Sequence, residues 1–189
     1  ALLDITGAAQ RQPYITAEGN IVMLNGEIYD SPEQNDTAWL GKLLDKYGIS
    51  PLSDIDWHGA IAYYNPKSDH LFLIRDQFGT KPLWWRKTNH LEFSTSLKSF
   101  QQKETFEPMP KSYMQSQFFG DDCMWKDTHK VAPGEILCFK TRTKKLVKRT
   151  NLWNPYYHSW KKWNPAEFKQ KTIEQVLKYS KNFFIIIVN

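Results

Sequence analysis

Two adjacent residues, Asn25 and Gly26, follow the short apolar run 20–24 and carry the groups that an oxyanion hole needs. A side-chain amide and a neighbouring backbone N–H can stabilise the negative oxygen that forms when a nucleophile attacks an amide carbon, because both donors are in place before the reaction. Asn-Gly is also a dipeptide that favours a tight hairpin turn or a positive φ. The residues alone therefore leave two interpretations open, a hairpin turn and an oxyanion hole.

Two carboxylates follow this pair at short range, Glu27 and Asp36. Glu27 is placed to bind a cationic group beside the oxyanion hole, and its alternative interpretation is a solvated charge on a strand. Asp36 lies at the start of a predicted helix, where either Asn35 or Asp36 is expected to be the N-cap. Gly48 is expected to end that helix, and its apolar stripe is Leu40, Leu43, Leu44 and Tyr47.

The elements that must position these residues are mainly strands. Apolar runs separated by turn-forming residues predict three hairpins. Their paired strands are 59–64 with 71–74, 82–86 with 91–95, and 134–140 with 145–148. A second helix is predicted to begin with Asn164 as N-cap, Pro165 at the first helical position and Glu167 closing a capping box. The run 183–188 that follows is typical of a strand buried on both faces of a parallel sheet.

Composition excludes several classes of function. The chain has 189 residues, 41% of them hydrophobic, and a net charge of +5. The basic cluster 140–149 is typical of a solvated hairpin, and no recognition pattern beside it favours nucleic-acid binding. Neither Cys123 and Cys138 nor the five histidines have a metal-binding spacing, and no apolar run approaches the roughly 20 residues that cross a membrane. These features predict a reduced, cytoplasmic protein without a metal site.

Several motifs in the same order resemble one family. Asn-Gly-Glu-Ile-Tyr at 25–29 resembles the asparagine synthetase form of the class II, or N-terminal-nucleophile, glutamine amidotransferase motif. Arg-Asp-Gln-Phe-Gly-Thr-Lys-Pro-Leu at 75–83 is similar to that family's Arg-Asp-x-x-Gly-x-x-Pro-Leu. Segment 91–98 is similar to its Phe-Ala-Ser-Glu-Leu-Lys, with Ser96 where the family favours Glu. Gln12-Pro13 and the Pro-Gly turn in 131–135 also fit.

This resemblance implies an α+β fold, the N-terminal-nucleophile (αββα) amidotransferase sandwich, incomplete at its N-terminus. It implies a partial type 2 glutamine amidotransferase domain at 1–150, a linker at 151–163, and the truncated start of an ATP pyrophosphatase-like synthetase domain at 164–189. Asn25 and Gly26 would form the oxyanion hole for glutamine hydrolysis, and Glu27 and Asp36 would bind the substrate's amino group. Asp36 keeps two interpretations, a glutamine ligand or only a helix cap, because the segment before it is shorter than in typical members.

The sequence departs from the family at both ends. The family's nucleophile is an N-terminal Cys whose α-amino group is the general base, whereas this sequence begins with Ala1. A missing first strand would also leave an open sheet edge. No cofactor is expected in this chain, since ATP and Mg belong to the synthetase domain. The expected partners are glutamine, an N-terminal segment, the synthetase domain or another subunit.

Two functions therefore remain open. In the first, the chain is part of an asparagine-synthetase-like enzyme that hydrolyses glutamine to supply ammonia for ATP-dependent amide formation on aspartate or a similar carboxylate. The 189 residues by themselves are then expected to be inactive, because the nucleophilic Cys is absent from them. In the second, it is a degenerate amidotransferase fold kept as a non-catalytic structural or interaction module.

Overall fold

The computed structural model describes residues 11–29, 31–100, 127–152 and 164–179. It divides into two compact units, Ala1–Trp153 and Asn154–Asn189. The strand predicted at 183–188 lies outside the described residues, as does most of the predicted linker. The predicted division into three segments therefore stays a prediction.

The first unit consists of nine strands and one helix in its described part, with short 3₁₀ turns at Ser50–Ser53 and Leu97–Ser99. The helix, α1, is Asp36–Tyr47. The strands are β1 Tyr14–Ile15, β2 Ile21–Ile28, β3 Trp57–Asn65, β4 His70–Arg75, β5 Trp84–Lys87, β6 Leu91–Ser94, β7 Thr128–Lys130, β8 Glu135–Lys140 and β9 Lys145–Asn151.

Two antiparallel sheets form the core, which confirms the predicted α+β class. The larger sheet has the strand order β1-β2-β3-β4-β8-β9, and the smaller has the order β6-β5-β7. Alternate residues of the larger sheet face opposite ways. One face packs against α1 through a cluster that includes Val22, Leu24, Leu40, Leu44 and Ile61. The other face packs against the smaller sheet through residues that include Ala60, Ala62, Leu73, Trp85 and Phe93.

The local predictions for the three hairpins and for α1 are confirmed. The pairs β3–β4, β5–β6 and β8–β9 correspond to the three predicted hairpins. Asn35 is the N-cap of α1, because its side chain accepts a hydrogen bond of 2.8 Å from the Ala38 N–H. Gly48 ends the helix with φ +66°, and its N–H donates to the Leu44 carbonyl. The alternative that Asp36 is the cap is wrong.

The turn interpretation of Asn25-Gly26 is also wrong. β2 runs through both residues and pairs with β3 along its whole length, Asn25 opposite Ala60 and Gly26 opposite Gly59. Gly26 is not among the glycines with positive φ. The reason for a glycine here is space: a Cβ on Gly26 would lie 1.9 Å from the His58 carbonyl oxygen. Gly59 has φ +132°, and a Cβ there would lie 2.3 Å from the Asn25 carbonyl oxygen.

A single buried carboxylate holds this close approach. Asp76 follows β4 and is fully buried. Its Oδ2 accepts hydrogen bonds from the Gly59 N–H at 2.8 Å and from the Thr80 hydroxyl at 2.6 Å, and its Oδ1 accepts from the Phe78 N–H at 2.9 Å. Its own N–H donates to the Gly59 carbonyl. Burial raises the pKa of Asp76, but the hydrogen bonds from Thr80, Gly59 and Phe78 outweigh burial and lower the pKa below its ordinary value.

Arg75, the residue before it, fixes the following turn. Its guanidinium donates to the carbonyls of Gly79, Lys81 and Val131 at 2.6, 2.7 and 2.9 Å. These three bonds connect the turn after β4 with the segment before β8. Arg75 and Asp76 together therefore connect the turn after β4 with the segment between β7 and β8 and with Gly59 on β3.

The second unit contains one described helix, α2, Pro165–Tyr179. The Asn164 side-chain oxygen accepts from the N–H groups of Ala166 and Glu167 at 3.1 and 3.3 Å, which confirms the predicted N-cap. The Glu167 carboxylate forms an ion pair of 2.8 Å with Lys171 one turn later.

We expect Asp76→Asn to destabilise the protein by about 2–4 kcal/mol at neutral pH, because an amide cannot accept all the hydrogen bonds that reach the carboxylate. A carboxylate with a lowered pKa in the folded state adds stability above its ordinary value of 3.8, and this stability is lost as the pH falls through the folded value. The difference between wild type and variant should therefore shrink in acid. Urea unfolding across that pH range measures it.

Asp54→Asn is the matched control, since Asp54 is exposed and accepts only from the Ser53 hydroxyl among the described residues. It should change stability by less than about 0.5 kcal/mol at every pH. A difference between wild type and Asp76→Asn that does not vary with pH would contradict the role of the charged carboxylate.

Candidate functional site

The side chains of Asn25 and Glu27 lie on the face of β2 that is turned toward the smaller sheet. The side chains of Val22, Leu24 and Ile28 point to the opposite face of the strand and belong to the core cluster beneath α1. Asn25 is paired with Ala60, which packs between the two sheets. Both Asn25 and Glu27 are exposed. The site therefore opens to solvent at the edge of the space between the sheets.

Asn25 is held by a residue that directly follows β6, a strand of the smaller sheet. Its Nδ2 donates a hydrogen bond of 2.8 Å to the hydroxyl oxygen of Thr95, directly after β6. A side-chain amide nitrogen carries two N–H groups, so one remains for a ligand. Thr95 is not among the site residues predicted from the sequence, although it stands in the segment that resembles Phe-Ala-Ser-Glu-Leu-Lys.

The Gly26 N–H points away from β3. In an antiparallel pair, directly opposed residues either exchange both backbone hydrogen bonds or exchange none. Both backbone groups of Gly59 bond Asp76, on the side away from β2. Gly26 and Gly59 therefore form a pair that exchanges no hydrogen bond, and the Gly26 N–H faces the outer edge of β2.

Side chains occupy the neighbouring positions on this outer edge. The Gln12 amide accepts from the Leu24 N–H at 2.9 Å and donates to the Leu24 carbonyl at 2.8 Å, as a neighbouring strand would. The Asp36 carboxylate accepts from the Ile28 N–H at 2.9 Å. Gly26 lies between these two positions, about 7 Å from each along the strand. Within the part of the chain that the structure describes, nothing accepts from the Gly26 N–H.

Glu27 places a negative charge next to Gly26 on β2. It lies opposite His58 on β3, and no residue in the described ranges donates to its carboxylate. The Tyr29 ring stacks on the His58 ring with centroids 5.3 Å apart. Burial raises the pKa of Tyr29, and the charges of Glu27 and Asp56 raise that pKa further. An exposed carboxylate in this position suits a cationic group.

The structure therefore brings the four predicted site residues to one strand and its edge. Asn25, Gly26 and Glu27 are consecutive on β2, and Asp36 reaches Ile28 at the same edge. Asp36 also retains Oδ1, for which the described residues provide no donor. The residues that hold them were not predicted from the sequence, and they are Gln12, Gly59, Asp76 and Thr95.

No nucleophile is seen at this site in the described residues. Cys138 is buried on β8, and burial raises the pKa of its thiol, which disfavours the reactive thiolate. Cys123 lies outside the described residues. The described residues contain no cluster of three or more His, Cys, Asp or Glu that would hold a metal ion. No helix among them has the length and apolar character needed to span a membrane.

Comparison with known proteins agrees with the motifs. A family model described as "Glutamine amidotransferase domain" matches residues 1–153. "Asparagine synthetase [glutamine-hydrolyzing] 2" of Bacillus subtilis (strain 168) is 32% identical over 113 residues, which cover 52% of this chain and 15% of that protein. Human "Asparagine synthetase domain-containing protein 1" is 30% identical over 97 residues, which cover 47% of this chain and 15% of that protein.

Among solved structures, a B. subtilis glutamine phosphoribosylpyrophosphate (PRPP) amidotransferase complexed with ADP and GMP is similar, with a TM-score of 0.47 and 16% identity. This likeness covers 71% of the present chain and 29% of that one. The matched part of the present chain spans only 15% of the length of each curated relative.

The hydrogen bond from the Ile28 N–H to the Asp36 carboxylate can be tested by two substitutions. We expect Asp36→Ala to destabilise the protein by about 1–3 kcal/mol, because the Ile28 N–H loses its acceptor. Asp36→Asn keeps a carbonyl oxygen and should change stability by less than about 1 kcal/mol. Thermal and urea unfolding of both variants measure the difference. Equal losses of stability in the two variants would show that the negative charge, and not the hydrogen bond, matters here.

Proposed function

The chain belongs to the glutamine amidotransferase domain family, whose model matches residues 1–153, and we propose from this that the unit hydrolyses glutamine. The released ammonia would serve ATP-dependent amide formation on aspartate or a similar carboxylate. The similarity to a glutamine-hydrolysing asparagine synthetase supports this choice of reaction.

One observation carries the proposal: the backbone N–H of Gly26 faces the edge of β2 between two positions that side chains already fill. The next residue back, Asn25, offers a second N–H from an amide that Thr95 holds. Two adjacent donors of this kind, set on a strand and not on a loop, are suited to an oxyanion.

The chemistry that these residues perform follows from their donors. A nucleophile attacks the δ-carbon of glutamine, and the carbonyl oxygen becomes an oxyanion that accepts from Asn25 Nδ2 and from the Gly26 N–H. When this intermediate collapses, the C–N bond breaks and the nitrogen takes up the proton that the nucleophile lost, so that it leaves as ammonia. Water then hydrolyses the acyl-enzyme to glutamate and restores the nucleophile. The proposal requires the nucleophile to come from outside the residues described.

The carboxylates recognise the other end of the substrate. Glu27 is exposed and next to the oxyanion hole, and it would bind the α-ammonium group of glutamine. Asp36 would contribute through Oδ1 while Oδ2 continues to hold the Ile28 N–H. Binding of ATP and Mg would belong to a synthetase domain.

We expect Asn25→Ala to lower kcat for glutamine hydrolysis by about 10²–10³-fold with a smaller change in KM, because the oxyanion exists only in the transition state and the intermediate. The assay follows ammonia or glutamate release by the protein expressed from its complete gene. Asn89→Ala, on the β5–β6 turn, is a control with the same chemical change on the surface. An unchanged kcat in Asn25→Ala would rule out the oxyanion role.

We expect Glu27→Gln to raise KM for glutamine by about 10-fold or more with a smaller change in kcat, because a neutral amide binds an ammonium group less well. Glu18→Gln is the matched control, since Glu18 is an exposed carboxylate whose ion pair with Lys67 is also exposed. If both variants keep the wild-type KM, Glu27 does not bind the α-ammonium group.

The non-catalytic alternative is tested by the same assay. A wild-type protein, expressed from its complete gene and correctly folded, that releases no glutamate from glutamine would overturn the proposed hydrolysis. The unit would then be a structural or interaction module.

A further inference from the structure

We propose that Thr95 is a positioning residue of the oxyanion hole. Its hydroxyl would hold the Asn25 amide so that the second N–H of Nδ2 reaches the substrate oxyanion. This inference rests on the proposed hydrolysis of glutamine and names a residue on which that chemistry depends.

The Asn25 amide needs an external partner to be ordered. The terminal torsion of an asparagine side chain has a broad distribution, so the strand backbone does not fix the direction of the amide. Asn25 is exposed, and the bond of 2.8 Å to Thr95 is its one side-chain hydrogen bond within the described residues. The orientation of the amide therefore depends on Thr95.

Thr95 is itself well placed to hold a neighbour. It lies on a short turn in which the Ser96 N–H donates to the Ser94 hydroxyl at 3.0 Å, and the Ser94 hydroxyl donates to the Ser99 hydroxyl at 2.9 Å. The β-branched side chain of threonine is also restricted in χ1. A stiff side chain on a hydrogen-bonded turn fixes the position of its oxygen.

The bond also spans a long distance in sequence. Asn25 belongs to the larger sheet, and Thr95 lies 70 residues later, directly after a strand of the smaller sheet. Relative movement of the two sheets at this edge would therefore move the acceptor away from the amide. The hydroxyl of Thr95 connects the packing of the sheets to the direction of a catalytic donor.

Because the oxyanion forms only after attack, a loss of orientation should appear in kcat and not in KM. Thr95→Val keeps the shape of the side chain and removes the acceptor. Thr95→Ser keeps the hydroxyl. Ser96→Ala is the matched control, because Ser96 is adjacent and exposed, and its hydroxyl has no partner among the described residues.

The test measures glutamine hydrolysis by the protein expressed from its complete gene. We expect Thr95→Val to lower kcat by about 10–100-fold with KM within about twofold of wild type, Thr95→Ser to stay within about threefold in kcat, and Ser96→Ala to match wild type. Adding Thr95→Val to Asn25→Ala should cause no further loss, because a residue that acts through Asn25 has no effect without it. A purely structural role would lower kcat in both backgrounds.

The outcomes separate the two proposals. If wild type is active and folded Thr95→Val has the wild-type kcat, the role of Thr95 is overturned while the proposed function stands. If wild type is inactive, the proposed function fails. The ¹H–¹⁵N side-chain resonances of Asn25, assigned by their loss in Asn25→Asp, then test whether Thr95 orients the Asn25 amide. Unchanged shifts and exchange rates in Thr95→Val would overturn the inference, whereas a clear change in both supports it.

Discussion

The close approach of β2 and β3 at Gly26 and Gly59 is the constraint on which the rest of the site depends. Two residues without a Cβ are required there, because a Cβ on either would penetrate the opposite backbone. Gly59 takes a φ of +132° at this point, which side chains rarely allow. Asp76 makes the conformation stable by bonding both backbone groups of Gly59. The direction of the Gly26 N–H is thus set by a carboxylate on the far side of β3.

The outer edge of β2 shows how the fold manages unpaired backbone groups. An exposed strand edge invites pairing with another chain. Here Gln12 imitates a neighbouring strand at Leu24, and Asp36 receives the Ile28 N–H. Each of these side chains also belongs to an element that packs on the sheet or leads into it. Within the described residues, the edge is covered at these two positions and leaves one donor at Gly26, where a ligand is proposed to bind.

The predictions that succeeded depend on short stretches of sequence. Asn35 and Gly48 have the side chain and the backbone freedom that begin and end a helix, so α1 could be read from the residues alone. The prediction of a turn at Asn25-Gly26 was wrong, because the pairing of β2 with β3 outweighs the turn preference of this dipeptide. This pairing places Gly26 opposite Gly59, which lies 33 residues later. Gly26 is a glycine because a side chain has no space there, and not because of a positive φ. Thr95 and Gln12 were missed for the same reason, since their hydrogen bonds to β2 join segments that only the folded sheet brings together.

The two donors of the proposed oxyanion hole are therefore controlled by different parts of the molecule. The Gly26 N–H is a backbone group whose direction follows from strand pairing, so it depends on Gly59 and Asp76. The Asn25 amide is a side-chain group whose direction follows from the hydroxyl of Thr95, directly after β6. A change that loosens the contact between the sheets would disturb the second donor and leave the first in place. Full stabilisation of the proposed oxyanion would then require both the strand pair and the sheet contact to be intact, so that the whole fold of the unit, and not the Asn-Gly motif alone, would support the proposed chemistry.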